Sequence, residues 1–135
     1  METYSIFLIG GTDDERATLV EDEIGDNCNL KLVWRNREST ASAEDFFEAL
    51  CAIRLQLEAE GLLLFCYGAS LNVYPSGMAR SMAGGKVAYK MQAGKHVTTA
   101  DLVDIFSEGP DVIPATVKQQ REYFEEWVSS DRVKP

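Results

Sequence analysis

The chain has 135 residues, which corresponds to the size of one globular domain. Hydrophobic residues make up 45% and charged residues 26% of the sequence, so the composition argues against a disordered chain and against a fibrous repeat. The formal net charge of -9 argues against general binding to nucleic acid or to an anionic membrane, because an acidic surface repels phosphate groups.

The charge is unevenly distributed along the sequence. Residues 1–60 carry 5 basic and 14 acidic groups, residues 61–100 carry 4 basic groups and no acidic group, and residues 101–135 carry 4 basic and 8 acidic groups. The outer parts therefore offer acidic surface to a basic partner. The acid-free middle is either a core with its turns or the one region where an anion could be held.

The first predicted elements are strands separated by turns. Residues 4–9 end at two glycines, which is typical of a strand followed by a turn. Residues 13–24 are highly acidic, and their pattern fits either a short surface helix or a strand over 17–20. A turn over 25–27 leads into the alternating residues 30–34, which predict a second strand.

The clearest predicted element is a helix over 43–60. Ser42 is positioned to cap its N-terminus, and Asp45 lies in the first turn, where a carboxylate favours the positive end of the helix dipole. Gly61 occupies the usual position after the last turn. The apolar stripe of the helix consists of Phe46, Leu50, Ile53 and Leu57, widened by Phe47 and Cys51.

The second half of the chain predicts shorter elements and one more long helix. They are a buried strand over 62–67, a short helix that Pro75 could open and that runs to Met82, strands over 86–91 and 102–106, a helix over 114–130 that begins at Pro114, and a frayed tail over 131–135. The predicted fold is α+β, a single domain over 1–135 with a mixed or antiparallel sheet of about four to five strands, packed by the helices 43–60 and 114–130.

The segment 66–90 combines hydroxyl groups, an amide, cations and glycines without any acidic residue. If Pro75 opens a helix, free backbone amides near Ser76 would favour an anion, and Arg80 would add a guanidinium about one turn further on. The alternative is a structural strand, loop and helix in which the polar groups satisfy the backbone. The residues of this candidate ligand pocket are Tyr67, Asn72, Tyr74, Ser76 and Arg80.

No catalytic or metal-binding constellation is predicted. Cys66 is the candidate nucleophile, but burial at the end of an apolar strand should raise the pKa of its thiol, and His96 is the only histidine. The three cysteines contain no C-x-x-C pair, and Gly10-Gly11-Thr12 lacks the spacing of a phosphate-binding loop. The sequence therefore predicts no cofactor and no metal, and it disfavours an enzymatic activity without excluding one.

The N-terminal sequence and the cysteines predict the compartment of the protein. The N-terminus lacks a basic region followed by a long apolar stretch, and no apolar run is long enough to span a membrane. The odd set of cysteines is typical of free thiols in a reducing environment. We therefore expect a cytoplasmic protein.

Four stretches of the chain carry a resemblance to known proteins. Residues 67–82, with 88–90, 103–106 and 123–127 behind them, resemble a group of small bacterial proteins over about residues 60–130. Small acidic single-domain proteins of this kind look like the immunity proteins that neutralise secreted bacterial toxins. The resemblance implies a non-catalytic protein that binds its cognate toxin through an acidic surface.

The favoured function is thus binding to a protein partner, without nucleic acid or membrane. Two alternatives remain at this point: a small-molecule or anion-binding protein or enzyme with its site in the segment 66–90, and a homo-oligomer that uses the apolar side of the final helix. Charge complementarity with a basic partner speeds encounter, which favours the acidic N-terminal part as the contact surface. The predicted partner-binding residues are Asp13, Asp14, Glu15, Glu21, Asp22 and Glu23.

Overall fold

A computed structural model describes residues 2–11 and 15–133 of the chain. This part of the chain forms three α-helices and eight strands of a single α+β domain, which confirms the predicted fold class. The elements in chain order are β1 (Glu2–Ile9), β2 (Glu15–Ile24), β3 (Asn27–Trp34), β4 (Arg37–Ala43), α1 (Phe46–Glu58), β5 (Leu63–Phe65), β6 (Val73–Tyr74), α2 (Gly77–Met82), β7 (Val87–Lys90), β8 (Leu102–Asp104) and α3 (Val117–Val133).

The main sheet has five antiparallel strands in the order β4-β3-β2-β1-β5. Its inner face packs on α1, and the side chains of the predicted helical stripe are all buried there. The opposite, outer face is left to solvent, as is common for an antiparallel sheet. A second antiparallel sheet, β6-β7-β8, contains the predicted strands of residues 86–91 and 102–106, which had been expected in one sheet with the others, and the short strand β6, which was not predicted.

The structure decides the open question over residues 13–24. Residues 15–24 form a strand and not a helix, and inward and outward side chains alternate along β2 from Glu15 to Ile24. Ala17 and Leu19 point into the core, whereas Thr18 is exposed on the outer face. The strand alternative is therefore correct, and the strand is longer than the predicted 17–20.

The strand β4 is an element that the sequence analysis missed. Its inner-face residues Ser39, Ala41 and Ala43 are small or polar, so the alternation of large apolar residues that marks a strand is absent. A two-residue turn joins it to β3, with positive φ angles of 48° at Arg35 and 59° at Asn36. This backbone is typical of the tight turns that connect antiparallel strands.

The N-terminus of α1 differs from the prediction, whereas the stop signal at its C-terminus agrees with it. Ser42 lies in β4, and the N-cap is Asp45, whose Oδ1 accepts a hydrogen bond from the backbone N–H of Glu48 at 2.8 Å. The predicted role of Ser42 is thus wrong. Gly61 is confirmed as the stop residue: its φ is +78°, and the N–H groups of Gly61 and Leu62 donate to the last helical carbonyls at 3.0 Å each.

The final helix begins later than predicted. Pro114 forms an isolated bridge with Ser70 and is not helical, so the start at Pro114 is wrong. The helix starts after Thr116, whose Oγ1 accepts from the N–H of Gln119 at 3.1 Å while Gln119 Oε1 accepts from the N–H of Thr116 at 2.9 Å. This reciprocal pair is a capping box. The helix extends to Val133, and residues 134–135 of the predicted tail lie outside the described residues.

The predicted buried strand over 62–67 is shorter and less buried than expected. Only Leu63–Phe65 form β5, at the edge of the main sheet, and Leu63 and Phe65 are partly exposed on its outer face. Ser76, the N-cap of α2, accepts a hydrogen bond from Ala79, which confirms a short helix in this segment.

Gly85 packs closely against the start of α1, and an alanine at this position would be strained. Its φ is +74°, and an added Cβ would lie 2.9 Å from Asp45 Oδ1 and 3.1 Å from the backbone nitrogen of Phe47. Gly25 has φ +61° but no atom within 4 Å of such a Cβ. We expect Gly85→Ala to lower the free energy of unfolding by about 2 kcal/mol more than Gly25→Ala in urea denaturation. Equal losses for the two variants would contradict this packing.

Candidate functional site

The predicted partner-binding residues that the structure describes, Glu15, Glu21, Asp22 and Glu23, do not form one continuous surface. Asp13 and Asp14 lie outside the described residues. Glu15 is mostly shielded, because it forms an ion pair with Arg35, whose Nε donates to Glu15 Oε2 at 3.0 Å. The carboxylate of Glu15, the first residue of β2, is therefore already paired within the protein.

Glu21 is buried, which corrects the expectation of an exposed carboxylate at this position. The alternation of β2 turns it to the inner face, where its side chain is 5% exposed. The O–H of Tyr4 donates to Glu21 Oε1 at 2.5 Å, and Lys86 Nζ lies 2.7 Å from Glu21 Oε2. Burial and this hydrogen bond raise the pKa of Tyr4 above its usual range. The hydrogen bond to Glu21 likewise raises the pKa of Lys86.

Four neighbouring residues at the turn between β2 and β3 do reach the surface. Glu23 and Asp26 are exposed, Asp22 is partly exposed on the outer face, and Ile24 between them leaves 64% of its surface in solvent. We call these four residues the acidic hairpin end. An exposed apolar side chain next to carboxylates has the components of a protein interface, which combines an apolar centre with a polar rim.

Two depressions flank the acidic hairpin end and share Asp22. A cleft of about 390 Å³ is lined by Glu2, Glu21, Asp22, Glu23 and Lys86. A groove of about 560 Å³, which we call the outer groove, lies across the outer face of three strands. Its lining residues are Val20, Asp22, Ile24, Asn29, Leu30, Lys31, Thr40, Ala41 and Ser42. The acidic hairpin end therefore borders concave surface on both faces of the sheet.

Arg80 on α2 supplies the cation of the candidate ligand pocket. Its Nη1 lies 3.0 Å from Asp45 Oδ2 and 2.9 Å from Glu48 Oε1, so the guanidinium bridges two carboxylates at the N-terminus of α1. Its Cζ lies 5.1 Å and 5.6 Å from the ring centres of Phe47 and Tyr74. An anion at this position would have to compete with both carboxylates.

The two tyrosines of the candidate pocket face different partners. The O–H of Tyr67 donates to Asp111 Oδ1 at 2.6 Å, which raises the pKa of Tyr67. The same bond, followed in size by the contact with Lys90, lowers the pKa of Asp111. The ring of Tyr74 instead stacks on Phe124, with 4.2 Å between the ring centres. The two side chains are thus tied to separate parts of the fold.

The remaining two pocket residues satisfy neighbouring groups. Asn72 Oδ1 accepts a hydrogen bond from the Ser70 hydroxyl at 3.0 Å. Ser76 Oγ accepts from the N–H of Ala79 at 3.0 Å and caps α2. These contacts match the structural alternative for the segment 66–90. The ligand site stays a prediction, and it now requires a ligand that displaces internal partners.

The uneven charge of the sequence has a structural counterpart. The acid-free middle is held to the acidic outer parts by ion pairs, so its positive charges are largely neutralised within the protein. The pairs are Arg80 with Asp45 and Glu48, Lys86 with Glu21, and Lys90 with Asp111.

Replacement of Arg80 distinguishes a structural role from a ligand-binding role. We expect Arg80→Met to lower the free energy of unfolding by about 1–3 kcal/mol, because two carboxylates at the start of α1 lose their counter-ion. Arg16→Met is the control, since its pair with Glu108 leaves the arginine side chain 46% exposed. We expect that control to change the free energy by less than about 1 kcal/mol. Equal losses in urea denaturation would contradict the structural role.

The thiol that the sequence analysis considered as a nucleophile is buried. Burial raises the pKa of Cys66 and of Cys51 to about 11 in each case. His96 lies in the loop between β7 and β8, whereas Cys66 follows β5 directly. A thiol with such a pKa is almost entirely protonated at neutral pH and is a poor nucleophile.

The raised pKa values predict both reactivity and pH dependence. We expect the thiols of the folded protein to react with a disulfide reagent at pH 8 no faster than the protein unfolds, whereas all three react at once in denaturant. The thiols of Cys51 and Cys66 have a pKa near 9.0 in the unfolded chain and near 11 in the folded protein. Because the unfolded state therefore loses its protons first, the free energy of unfolding falls as the pH rises from 9.0 to 11, and these groups do not change it at lower pH. Rapid labelling of Cys66 in the folded state would contradict this interpretation.

A buried polar network near the segment 66–90 escaped the sequence analysis. Arg54 on α1 is 2% exposed, and its Nη1 donates to Gln120 Oε1 at 2.6 Å and to the Gly68 carbonyl at 3.1 Å. Its Nη2 donates to the Ala115 carbonyl at 2.9 Å. Helical spacing from Phe47 places Arg54 on the apolar stripe of α1, and this spacing was the signal that could have revealed it.

Gln120 completes this network from the first turns of α3. It is fully buried, and the two N–H groups of its Nε2 are shared among the carbonyls of Gly68, Ser70 and Val73, at 3.0, 2.9 and 2.8 Å. The irregular chain between β5 and β6 therefore receives the hydrogen bonds that a regular sheet would have provided. We interpret the polar character of this segment as support for the fold.

Comparison with known proteins gives no family assignment: no protein-family model matches the chain, and neither does any curated protein. Among the residues that the structure describes, no group of His, Cys, Asp and Glu side chains is arranged to hold a metal ion. In the same residues, no helix is both long enough and apolar enough to cross a membrane. The class that the structure defines is an α+β domain with an open sheet face and an acidic hairpin end.

Proposed function

We propose that the protein is a non-catalytic binding protein that neutralises a basic protein partner, and that this partner is a secreted bacterial toxin. The observation that carries the proposal is the acidic hairpin end, where the exposed Ile24 lies beside Asp22, Glu23 and Asp26 along the chain. Binding alone is sufficient to block a toxin, so the role requires no catalytic group.

The electrostatics of the chain support this role. The net charge of -9 attracts a basic protein from a distance and speeds the encounter. At contact, burial of the exposed Ile24 contributes apolar area, and the neighbouring carboxylates pair with lysine or arginine side chains of the partner. The two depressions beside Asp22 provide concave surface for protruding side chains.

The resemblance of residues 60–130 to small bacterial proteins supports the more specific part of the proposal. Immunity proteins protect the cell that makes the toxin, and we therefore propose that this protein acts in the cytoplasm. Its cysteines are free and buried, which fits a reducing compartment. The segments that carry the resemblance build the second sheet and α3, so in this proposal they support the contact surface without forming it.

Site-specific crosslinking in the native cell tests the proposal. A photoreactive residue is placed at Ile24 or, as a control, at the exposed Glu125 on α3. We expect a basic protein to crosslink to position 24 and not to position 125. Expression of that protein alone should be toxic, and co-expression of the present chain should restore growth. A crosslinked partner that is acidic or harmless would contradict the proposed function.

A further inference from the structure

The strand β4 forms a free edge of the main sheet. It stands at one end of the strand order β4-β3-β2-β1-β5, and its seven residues, Arg37–Ala43, pair with β3 without a bulge. Alternate residues of an edge strand direct their N–H and C=O groups away from the sheet. The Thr40 carbonyl accepts a hydrogen bond from Gln56 Nε2 at 3.1 Å, which assigns Thr40, and with it Glu38 and Ser42, to the edge-directed set.

The sequence of β4 lacks most of the features that normally prevent strand addition, although an added strand would have to displace Gln56 of α1 from the Thr40 carbonyl. Natural edge strands are protected by proline, inward-pointing lysine, bulges or short length. The sequence Arg-Glu-Ser-Thr-Ala-Ser-Ala contains none of these, and its two charges lie together at the first two positions. The opposite edge is different, because β5 has only three residues and the chain after it is hydrogen-bonded at Tyr67 and Gly68 to the carbonyls of Ser107 and Ile105.

The outer groove continues to this edge. It is lined by Thr40, Ala41 and Ser42 of β4 as well as by residues of β2 and β3, and it includes Asp22 and Ile24 of the acidic hairpin end. A strand added beside β4 would therefore place alternate side chains next to the groove. Strand addition of this kind derives affinity from main-chain hydrogen bonds and specificity from pockets for alternate side chains.

We propose that β4 accepts an extended segment of the basic partner, which pairs with its edge and enlarges the main sheet to six strands. This inference rests on the proposed function, since it specifies how the same partner is held. Charge favours a basic partner over a second copy of the chain, because two copies with a net charge of -9 each repel one another. One continuous surface then runs from the free edge across the outer groove to the acidic hairpin end.

A synthetic peptide tests the edge without the toxin. The probe is a seven-residue peptide of alternating valine and threonine with a lysine at each end, titrated into the ¹⁵N-labelled full chain. We expect the amide signals of Glu38, Thr40 and Ser42 to shift and their hydrogen exchange to slow at least tenfold at saturation. The matched control peptide has the same side chains but N-methyl groups on alternate amides, which prevents strand pairing, and it should not bind.

Two substitutions separate pairing at the edge from contact with the outer face. Ser42→Lys places a protective lysine on the edge strand, and we expect it to weaken peptide binding at least tenfold. Thr18→Lys, on the outer face of the central strand β2, should leave binding unchanged. Absent shifts in β4, equal binding of the N-methylated peptide, or self-association of the chain through β4 would each overturn the inference.

The outcome for β4 is independent of the outcome for the toxin. If the peptide binds β4 while the crosslinked protein is harmless, the proposed function fails and the edge remains a strand-binding site. If the toxin is neutralised and neither the peptide nor the toxin protects the amides of β4, this inference fails and the proposed function stands.

Discussion

Replacement of Arg54 by methionine is expected to lower the free energy of unfolding by about 3–5 kcal/mol, the largest effect of any single substitution considered for this chain. The guanidinium supplies hydrogen bonds to Gly68, Ala115 and Gln120, all within the protein interior. Methionine fills similar space but removes the donor of the Ala115 carbonyl and of Gln120 Oε1, and it leaves the Gly68 carbonyl with the bond from Gln120 alone. Since small domains are stable by only about 5–15 kcal/mol, Arg54→Met brings the protein close to unfolding at room temperature.

A double-mutant cycle separates the network from simple loss of volume. Gln120→Met removes the partner on α3, and the double variant removes both polar groups together. We expect the double variant to be less destabilised than the sum of the two single variants, because each single variant leaves the other group unpaired and buried. Urea denaturation gives the four free energies. Additive losses would show that Arg54 and Gln120 act independently, which contradicts the geometry.

Charge reversal at the acidic hairpin end is expected to slow association with the crosslinked partner by about 10–100-fold at low ionic strength. The variant carries Asp22→Lys, Glu23→Lys and Asp26→Lys, three surface changes at the proposed contact. The effect should shrink as salt is added, because the screening length falls to about 10 Å at 0.1 M ionic strength. Stopped-flow kinetics over a range of salt concentrations measures both quantities.

The matched control carries the same change of charge at another place. Lysine at the exposed positions Glu122, Glu125 and Glu126 on α3 also changes the net charge from -9 to -3, because each replaced acid adds two positive charges. We expect this control to retain an association rate at least tenfold higher than that of the hairpin variant. If the two variants slow association equally, only the total charge matters and the position of the contact surface is contradicted.

Local signals in the sequence were sufficient to predict that the two long helices exist, but not where each one begins. The helix α1 was predicted because its apolar residues recur at helical spacing and Gly61 marks its end. Its start was misplaced because Ser42 and Asp45 both have side chains that cap helices, and the choice depends on whether Ser42 pairs with β3. That pairing joins Ser42 to Asn29, and no local pattern reports it.

The sheet was harder to predict because its polar positions depend on distant partners. Glu21 interrupts the apolar alternation of β2, and it can be buried only because Tyr4 and Lys86 satisfy its carboxylate. Lys86 lies in another part of the sequence, so the acidic run around Glu21 was predicted to be an exposed contact surface. The strand β4 was missed for a related reason, since small inner-face residues such as Ala41 and Ala43 suit the space beside α1 but carry no strand signal.

The candidate sites show the same limit. The polar residues of the segment 66–90 were correctly seen as unusual, but their internal partners, such as Asp45 for Arg80 and Asp111 for Tyr67, lie outside the segment. The outer groove could not be predicted at all, because it is formed by three strands and one of them, β4, was not recognised. The acidic hairpin end was anticipated at Asp22 and Glu23, where exposure follows from the strand end.

Hydrogen–deuterium exchange on the complex with the crosslinked partner tests the location of the contact surface most directly. The account predicts that binding slows exchange in residues 20–31 and 37–43, which contain the acidic hairpin end, the outer groove and the free edge. Exchange in α3 and in the segment 66–90 should stay unchanged. Protection confined to α3 or to the segment 66–90, with none in β2, β3 or β4, would contradict the proposed contact surface.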